Sequence, residues 1–234
     1  MPRYVIGDLH GRLNAALEVF DKSGFDMEND QLIILGDVVD GSASVKELID
    51  LLLQVKHRIL IRGNHDHWCI SWFDAGIELP AWVHQGGEAT MRSYGFDYKS
   101  VPETHREFLH SGIYYHIDDK NNIFVHGGFD PDIDIRDNSN EELLWNRNII
   151  GYAMCKPIPG YNRVFIGHTT TQLIENHSGR NEPAMFNNLI MMDTGGGWDG
   201  KLTIMNPDTL EYWQSSKQKK PRKWFDVTCI PEET

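Results

Sequence analysis

The chain has 234 residues and a hydrophobic content of 40%, which is enough to bury a substantial core in one large domain. Its formal net charge of -12 argues against broad binding to nucleic acid or to an anionic membrane, because such binding needs a net basic surface. Any phosphate group that this protein binds must therefore meet local cations or metal ions. The cysteines, Cys69, Cys155 and Cys229, form no C-x-x-C pair, so neither a disulfide framework nor a zinc knuckle is indicated.

The sequence carries no targeting or membrane-spanning pattern. Only the residues MPRYVIG precede the first charged motif, which is too few for the apolar region of a secretory signal. No apolar run reaches the roughly 18 residues that suggest a transmembrane helix. We expect a cytoplasmic protein with no nucleic-acid or membrane partner. The sequence leaves its oligomeric state open, and a monomer is compatible with it.

The first third of the chain alternates strand and helix patterns. Short apolar runs predict strands at residues 3–6, 31–35 and 58–61. Helical spacing of apolar residues predicts helices at residues 13–20 and 45–53, and Ser44 with Glu47 predicts a capping box for the second helix. This βαβαβ order implies parallel strands joined by crossover helices.

The remainder of the chain is predicted to be helical first and then richer in strands. Aromatic-rich residues 68–94 indicate helix, and a further helix is predicted at residues 102–110, with Pro102 in its first turn. Later strands are predicted at residues 123–125, 164–166 and 189–192. The segments TGGGWDGKLTIMN and TLEYWQ predict an antiparallel pair. We expect one domain over residues 1–214 and a solvated, partly basic C-terminal tail over residues 215–234.

Polar residues follow the ends of several predicted strands. The segments YVIGDLHG, LIILGDVVD, ILIRGNHD, IFVHGG and VFIGHT each place Asp, His or Asn there, beside glycine. Glycine permits tight turns and close backbone approach, so these strand ends can bring polar side chains to one point. Oxygen and imidazole donors without a thiolate suit Mn, Fe, Zn or Co better than Cu(I) or an iron–sulfur cluster. The candidate metal ligands are Asp8, His10, Asp37, Asn64, His126 and His168.

So many donors favour a two-metal site over a single ion. One carboxylate can bridge two ions about 3.5–4 Å apart, and Asp37 is the natural bridge because its motif lies centrally in the set. Each motif alone has a simpler interpretation: Asp8 could cap a helix, His10 could be a surface histidine, and GNHD could be an Asx-rich loop. Together these simpler interpretations fail, because burying that many unpaired polar groups without a metal is costly.

The order GDLHG, GDVVD, RGNHD, VHGG and GHT, ending in DTGGGWDGKLT, resembles the calcineurin-like metallophosphoesterases. Within them it resembles the phosphoprotein phosphatase family, from about residue 4 to residue 205. It is similar to the compact bacterial and phage members, which include Ser/Thr phosphatases and diadenosine tetraphosphatases. The resemblance implies an α+β fold, α/β/β/α, in which two packed mixed β-sheets are flanked by helices.

The resemblance also assigns roles to individual residues. His65 is implied as the general acid that protonates the leaving alkoxide, and Asp40 as the residue that orients His65 and favours its charged form. Two divalent ions would activate a bridging water for in-line displacement at phosphorus, with manganese as the first expectation and iron, zinc or cobalt as alternatives. The implied ligands are Asp8 and His10 for the first ion, Asp37 for the bridge, and Asn64, His126 and His168 for the second ion.

Candidate substrate contacts come from arginines and from one metal ligand. Arg62 occupies the position of a phosphate-binding arginine in the family, and its planar fork suits bidentate contact. Arg147 in ELLWNR is a second candidate, with a surface salt bridge as the alternative interpretation. Asn64 is expected to contact the substrate as well as a metal ion.

The sequence departs from the family pattern after Asp40. The family usually continues with an arginine that contacts phosphate and then a glycine, whereas Gly41 and Ser42 follow here. Either Arg62 and Arg147 suffice, or another cation such as Arg92 replaces the missing one, or the substrate is not a phosphoprotein.

Several neighbouring residues are given structural interpretations. Asp66 stands where the narrower family often has glutamate, which leaves the metal ligands unchanged. His67 is interpreted as a rim residue. The tryptophans are expected to pack the helical insertion rather than to stack on a base, namely Trp68, Trp72 and Trp82.

Three functions are compatible with the sequence. The first is a metal-dependent phosphatase of the Ser/Thr type that acts on a phosphorylated protein. The second is hydrolysis of a dinucleoside polyphosphate, such as diadenosine tetraphosphate, or of another small phosphorylated compound. The third is a metal-bound interaction module without catalysis, which the retention of His65, Asp40 and every ligand position disfavours.

Overall fold

Two five-stranded mixed β-sheets pack face to face, and helices cover their outer faces. The computed structural model describes residues 1–177 and 179–219. This arrangement of sheets and helices confirms the α/β/β/α architecture expected from the sequence. The strand ends that carry the polar motifs belong to both sheets.

The first sheet has the strand order β10-β9-β1-β2-β3. Its parallel core consists of β1, β2 and β3, while β9 runs antiparallel to both β1 and β10. The antiparallel pair predicted from the sequence is therefore confirmed. The strands are β1 (Arg3–Ile6), β2 (Gln31–Ile34), β3 (His57–Leu60), β9 (Thr203–Met205) and β10 (Tyr212–Gln214).

The second sheet has the order β4-β5-β6-β8-β7. Strands β5, β6 and β8 are parallel, and β4 and β7 flank them in antiparallel orientation. Strands β4 and β7 were not predicted from the sequence. The strands are β4 (Tyr115–Ile117), β5 (Ile123–Val125), β6 (Val164–Ile166), β7 (Ala184–Phe186) and β8 (Leu189–Met191).

Side chains alternate between the two faces of each sheet, as the pleat of a strand requires. In β1, Val5 points into the layer between the sheets, whereas Ile6 packs with the helices. The rings of Phe124 and Phe165 stack between the sheets with centroids 4.9 Å apart. This apolar layer packs the two sheets against each other, so the ends of their parallel strands lie close together.

Helices α1, α2, α3 and α6 contribute to the core on the outer side of the first sheet, and α7 and α8 pack against the second. A wide helical turn over residues 83–87 joins α4 to α5, and Gly86 within it has a φ of 114°. The helices are α1 (Leu13–Ser23), α2 (Val45–Leu53), α3 (Asn64–Ala75), α4 (Pro80–Trp82), α5 (Glu88–Ser93), α6 (Glu103–His110), α7 (Asn140–Trp145) and α8 (Asn148–Cys155).

Two local predictions about helix starts were wrong. Ser44 is the N-cap residue of α2, but its side chain makes no capping hydrogen bond. Instead, the backbone N–H of Lys46 donates to Oγ of Ser93, 2.8 Å away in the next packed helix, which satisfies one of the free donors at the helix start. Pro102 precedes α6 rather than lying in its first turn.

The predicted tail is not solvated at its first residue, because Ser215 is buried and bonds the segment just before β9. Ser215 exchanges two hydrogen bonds with the backbone of Leu202, each 3.0 Å long. Residues 220–234, which include Cys229, lie outside the described residues. Cys69 and Cys155 are free thiols, as expected. Within residues 1–177 and 179–219, no helix has the length and apolar character needed to cross a membrane.

Candidate active site

The six predicted metal ligands converge at one edge of the two packed sheets. Parallel strands place their carboxyl ends at the same edge, and both sheets present that edge to the same cavity. Asp8 and His10 follow β1, Asp37 follows β2, Asn64 begins α3 after β3, His126 directly follows β5, and His168 follows β6.

The ligand atoms form two groups that have Asp37 in common. Within each group the ligand atoms lie within 4.8 Å of one another. Oδ1 of Asn64 lies 2.9 Å from both Nε2 of His126 and Nδ1 of His168, so it joins the second group. The groups are Asp8, His10 and Asp37 on one side and Asp37, His126 and His168 on the other.

Backbone carbonyl groups orient two of the imidazole rings. Nδ1 of His10 lies 3.2 Å from the carbonyl oxygen of Val39, and Nδ1 of His126 lies 2.6 Å from that of Leu35. An Nδ1–H that donates to a carbonyl leaves Nε2 directed at the cluster, which is the usual outer-shell arrangement of a metal-binding histidine. Burial lowers the pKa of His10 to about 4.

The buried acidic groups require positive charge nearby. Burial and the neighbouring Asp193 raise the pKa of Asp8 well above its usual value. Burial lowers the pKa of His126, yet the carboxylate of Asp37 raises it to about 10. Nε2 of His168 is buried and has no hydrogen-bond partner among the described residues. Divalent cations would supply the missing charge, and the oxygen and imidazole donors present fit such ions.

Glycines allow the ligand segments to approach one another closely. A Cβ added at Gly63 would lie 2.1 Å from Oδ1 of Asp37, and one added at Gly167 would lie 2.3 Å from Oδ1 of Asp8. Several ligand residues also adopt left-handed backbone conformations, with φ of 43° at His10 and 46° at Asp37. Such strain is concentrated at functional sites and needs surrounding structure to maintain it.

His65 lies next to this cluster and contacts two carboxylates. Its Nδ1 is 2.6 Å from Oδ2 of Asp40, and its backbone N–H donates to Oδ1 of Asp37 over 3.0 Å. Burial lowers the pKa of His65, but Asp37 and Asp40 raise it to about 9. The structure thus brings together the histidine and the aspartate to which the family resemblance gave the acid and orienting roles.

Two buried aspartates near the cluster were not predicted as functional residues. Asp66 accepts hydrogen bonds from the N–H groups of Val38 and Gly63, 2.9 and 3.0 Å away, and so joins the loop after β2 to the start of α3. Asp193 lines the cavity and accepts a hydrogen bond from Oγ1 of Thr170 over 3.0 Å. Its place at the start of DTGGGWDGKLT was the only sequence signal for it.

Comparison with known proteins identifies the family. Residues 1–194 match the family model of the calcineurin-like phosphoesterases. The chain belongs to this family. Members are metal-dependent, which agrees with the donor set at the strand ends.

The relatives of this calcineurin-like phosphoesterase act on different substrates, as their names state. The chain is 30% identical over 140 residues to the symmetrical bis(5'-nucleosyl)-tetraphosphatase of Buchnera aphidicola, covering 58% of this chain and 47% of the relative. It is 32% identical over 148 residues to the serine/threonine-protein phosphatase 4 catalytic subunit of Candida glabrata, covering 56% and 40%. The matched stretches therefore span less than half the length of these two relatives.

Two further similarities extend over most of the chain. The asymmetrical bis(5'-nucleosyl)-tetraphosphatase PrpE of Bacillus mycoides is 22% identical over 232 residues, covering 88% of this chain and 91% of the relative. The crystal structure of a candidate diadenosine tetraphosphatase superposes with a TM-score of 0.69 at 15% identity, covering 92% of this chain and 93% of the other. This superposition supports the fold.

The cavity at these strand ends of the phosphoesterase has a volume of about 450 Å³. Five of the six predicted ligands line it, together with His65 and with Gln85 from the wide turn after α4. The sixth, His126, is fully buried and is not among the lining residues. Trp145 and Trp198 form aromatic parts of the wall, and the ring of Trp145 meets that of His168 edge-on at 5.4 Å.

Of the predicted arginines, one lines the cavity in the described structure and two do not. Arg147 is exposed and lines the cavity, and none of the ion pairs among the described residues includes it, so the alternative salt bridge is not formed there. Arg62 is not among the described residues that line the cavity; its Nη2 donates to the carbonyl oxygen of His110 over 3.0 Å, and its guanidinium lies over the ring of Tyr114. Arg92 pairs with Glu88 at the surface of α5 and does not line the cavity either.

The residues that were interpreted from the sequence as structural lie near the site but belong to neither group of candidate ligands. His67 is exposed and belongs to neither group. Trp72 and Trp82 are buried, with ring centroids 6.1 Å apart, as expected for packing residues. Trp68 is partly buried and its ring lies 5.5 Å from that of His65.

Proposed function

We propose that this protein is a metal-dependent phosphatase that hydrolyses phosphomonoesters at a centre of two divalent ions. The observation that carries the proposal is the position of Asp37. It belongs to both groups of ligands, and its Oδ1 accepts the backbone N–H of His65. One carboxylate could thus serve both ions, and it is hydrogen-bonded to the backbone of the candidate acid.

The residues that would hold the two ions are the two groups around Asp37, with Asn64 added to the second. When bound, such ions polarise phosphoryl oxygens and lower the pKa of water, so that a nucleophile is available at neutral pH. Manganese is our first choice, and iron, zinc and cobalt are compatible with the same donors.

The protein's own side chains would divide the remaining work. Water attacks phosphorus, the bond from phosphorus to the leaving oxygen breaks, and that oxygen takes the proton from Nε2 of His65. The carboxylate of Asp40 accepts a hydrogen bond from Nδ1 of His65, which would keep Nε2–H directed at the cavity. Arg147 is the cation on the cavity wall that can bind a phosphoryl oxygen, a role for which the position of Arg62 gives no support.

Two substrate classes remain, and the Ser/Thr phosphatase type is our first proposal. An open cavity of about 450 Å³ at the protein surface can admit a phosphorylated side chain. The second class, dinucleoside polyphosphates, is favoured by the aromatic wall, because Trp198 lines the cavity and indole rings stack on bases. Relatives of both kinds support either assignment.

A direct comparison of substrates tests the proposal. The protein would be loaded with Mn²⁺, and kcat/KM would be measured for a phosphothreonine peptide and for diadenosine tetraphosphate, with a chelator-treated sample as the blank. Preference for the peptide supports the Ser/Thr type, and preference for the dinucleotide moves the function to small-molecule hydrolysis. If the loaded protein hydrolyses neither substrate, the proposal fails and the non-catalytic interaction module takes its place.

A further inference from the structure

The carboxylate of Asp40 is completely buried and accepts hydrogen bonds from three side chains. Nδ1–H of His65 donates to Oδ2 over 2.6 Å. Nε1–H of Trp82 lies 3.0 Å from Oδ1 and 2.9 Å from Oδ2. The hydroxyl of Thr90 donates to Oδ1 over 2.6 Å. Both oxygens therefore have fixed partners, which determine the plane of the carboxylate that His65 meets.

Thr90 also contacts the backbone of Asp40. Its Oγ1 accepts the N–H of Asp40 over 2.9 Å while its hydrogen goes to the carboxylate. The backbone of Asp40 is left-handed, with a φ of 71°, a conformation that is uncommon in residues other than glycine. One hydroxyl thus supports both the strained backbone and the side chain of this residue.

The wide turn after α4 lets Trp82 and Thr90 reach the same carboxylate, that of Asp40. Trp82, the last residue of α4, and Thr90, inside α5, lie 42 and 50 residues after Asp40, and the turn over residues 83–87 separates them. A Cβ added at Gly87 would lie 2.5 Å from the indole ring of Trp82, so glycine is required where the ring passes. The same turn places Gln85 in the cavity wall.

We propose that Trp82 and Thr90 are positioning residues for the general acid. They fix the carboxylate of Asp40, which in turn fixes the ring of His65 for proton donation to the leaving group. This inference rests on the proposed function and extends it to residues of the helical insertion. Trp82 is accordingly more than the packing residue that its sequence context suggested.

The competing explanation is that both residues only stabilise the core. Trp72 offers a matched comparison, because it is an equally buried tryptophan beside Trp82 whose contacts with Asp40 do not include a hydrogen bond in the described structure. Loss of stability would slow every substrate alike. Misplacement of the acid would slow those substrates whose leaving group needs a proton.

The test therefore compares leaving groups. Trp82→Phe removes the N–H and keeps an apolar ring, and Thr90→Val removes the hydroxyl with little change of shape. Thr90→Ser keeps the hydroxyl, and Trp72→Phe controls for loss of an indole ring. For each Mn²⁺-loaded variant, kcat and KM are measured with phenyl phosphate, whose leaving group needs a proton, and with 2,4-dinitrophenyl phosphate, whose leaving group does not.

We expect Trp82→Phe and Thr90→Val each to lower kcat for phenyl phosphate about tenfold or more, the loss typical of a hydrogen bond to a charged group. With 2,4-dinitrophenyl phosphate, kcat should change less than about twofold, because proton donation contributes little there. KM should stay unchanged for both substrates. Thr90→Ser and Trp72→Phe should keep the wild-type ratio of the two rates.

Two results would overturn the inference, and they are distinguishable. Equal losses on both substrates in a folded, metal-loaded variant would show that the residues act only through the core. Absence of turnover in the wild-type protein, with either substrate, would remove the proposed function and this inference with it. If Trp82→Phe does not fold, Thr90→Val with its Thr90→Ser partner decides the question.

Discussion

Gly41 packs directly against His10. A Cβ added at Gly41 would lie 2.9 Å from Cβ of His10, and the φ of Gly41 is 71°. A residue with a side chain at this position would be strained in the left-handed conformation, and its Cβ would displace His10, a candidate metal ligand. In this structure, a longer side chain at position 41, such as the arginine expected from the family resemblance, would therefore meet His10.

Replacing Gly41 should therefore damage the site rather than restore a phosphate contact. We expect Gly41→Ala to cost about 1–2 kcal/mol for the left-handed conformation and to weaken Mn²⁺ binding through displacement of His10. Gly24 is the matched control, because its φ is 67° and a Cβ there meets nothing within 4 Å. Thermal unfolding with and without Mn²⁺ measures both effects. Equal metal affinity in Gly41→Ala and Gly24→Ala would contradict the prediction.

Asp37 should control the metal content of the whole centre. Asp37→Asn removes the charge shared by the two ligand groups, so we expect bound Mn²⁺ to fall from about two ions per chain to one or fewer. The stabilisation by metal, which is about 2.7 kcal/mol at 100 times Kd for one site, should shrink accordingly. Elemental analysis and thermal unfolding are the measurements. Asp132→Asn, at an exposed aspartate, is the control, and unchanged metal content in Asp37→Asn would refute the shared-ligand role.

His65 should affect turnover without affecting metal binding. His65→Asn is expected to lower kcat for an alkyl phosphate by about 10²–10⁴-fold, the usual contribution of general acid catalysis. Metal content should equal that of the wild type, because His65 belongs to neither ligand group. Steady-state kinetics and elemental analysis of one preparation give both values. Unchanged kcat would exclude the acid role.

The two predicted phosphate-binding arginines should behave differently. Arg147→Ala is expected to lower kcat/KM by about 10–100-fold, since it removes a charge-assisted hydrogen bond to the substrate. Arg62→Ala should leave KM nearly unchanged and lower thermal stability instead, because its guanidinium bonds the carbonyl oxygen of His110. Arg92→Ala, which removes an exposed arginine away from the cavity, is the control. A larger KM effect from Arg62 than from Arg147 would reverse this assignment.

The sequence by itself determined the parallel strands and the ligand types at their ends. Runs such as LIIL followed by GD predict a buried strand and a turn from local properties alone, and β2 with Asp37 lies where that pattern placed it. The convergence of Asp8 and Asp37 follows as well, because β1 and β2 are parallel strands of one sheet and end at the same edge. Periodicity and turn chemistry act over a few residues, so these features can be inferred without knowledge of the fold.

Only the tertiary structure decided which distant side chains meet. Ser44 is a residue type that often caps a helix, yet its side chain accepts no capping hydrogen bond. The backbone N–H of Lys46 at the start of α2 donates instead to Oγ of Ser93, which lies in another helix and is close only in the folded chain. The family resemblance led us to expect Arg62 at the phosphate, and that role stays a prediction; the structure shows that its guanidinium bonds the carbonyl oxygen of His110, 48 residues away. Trp82 reaches Asp40 across 42 residues through a turn that no local pattern predicts. Contacts of this kind depend on packing between separate elements, and packing is a property of the folded chain as a whole.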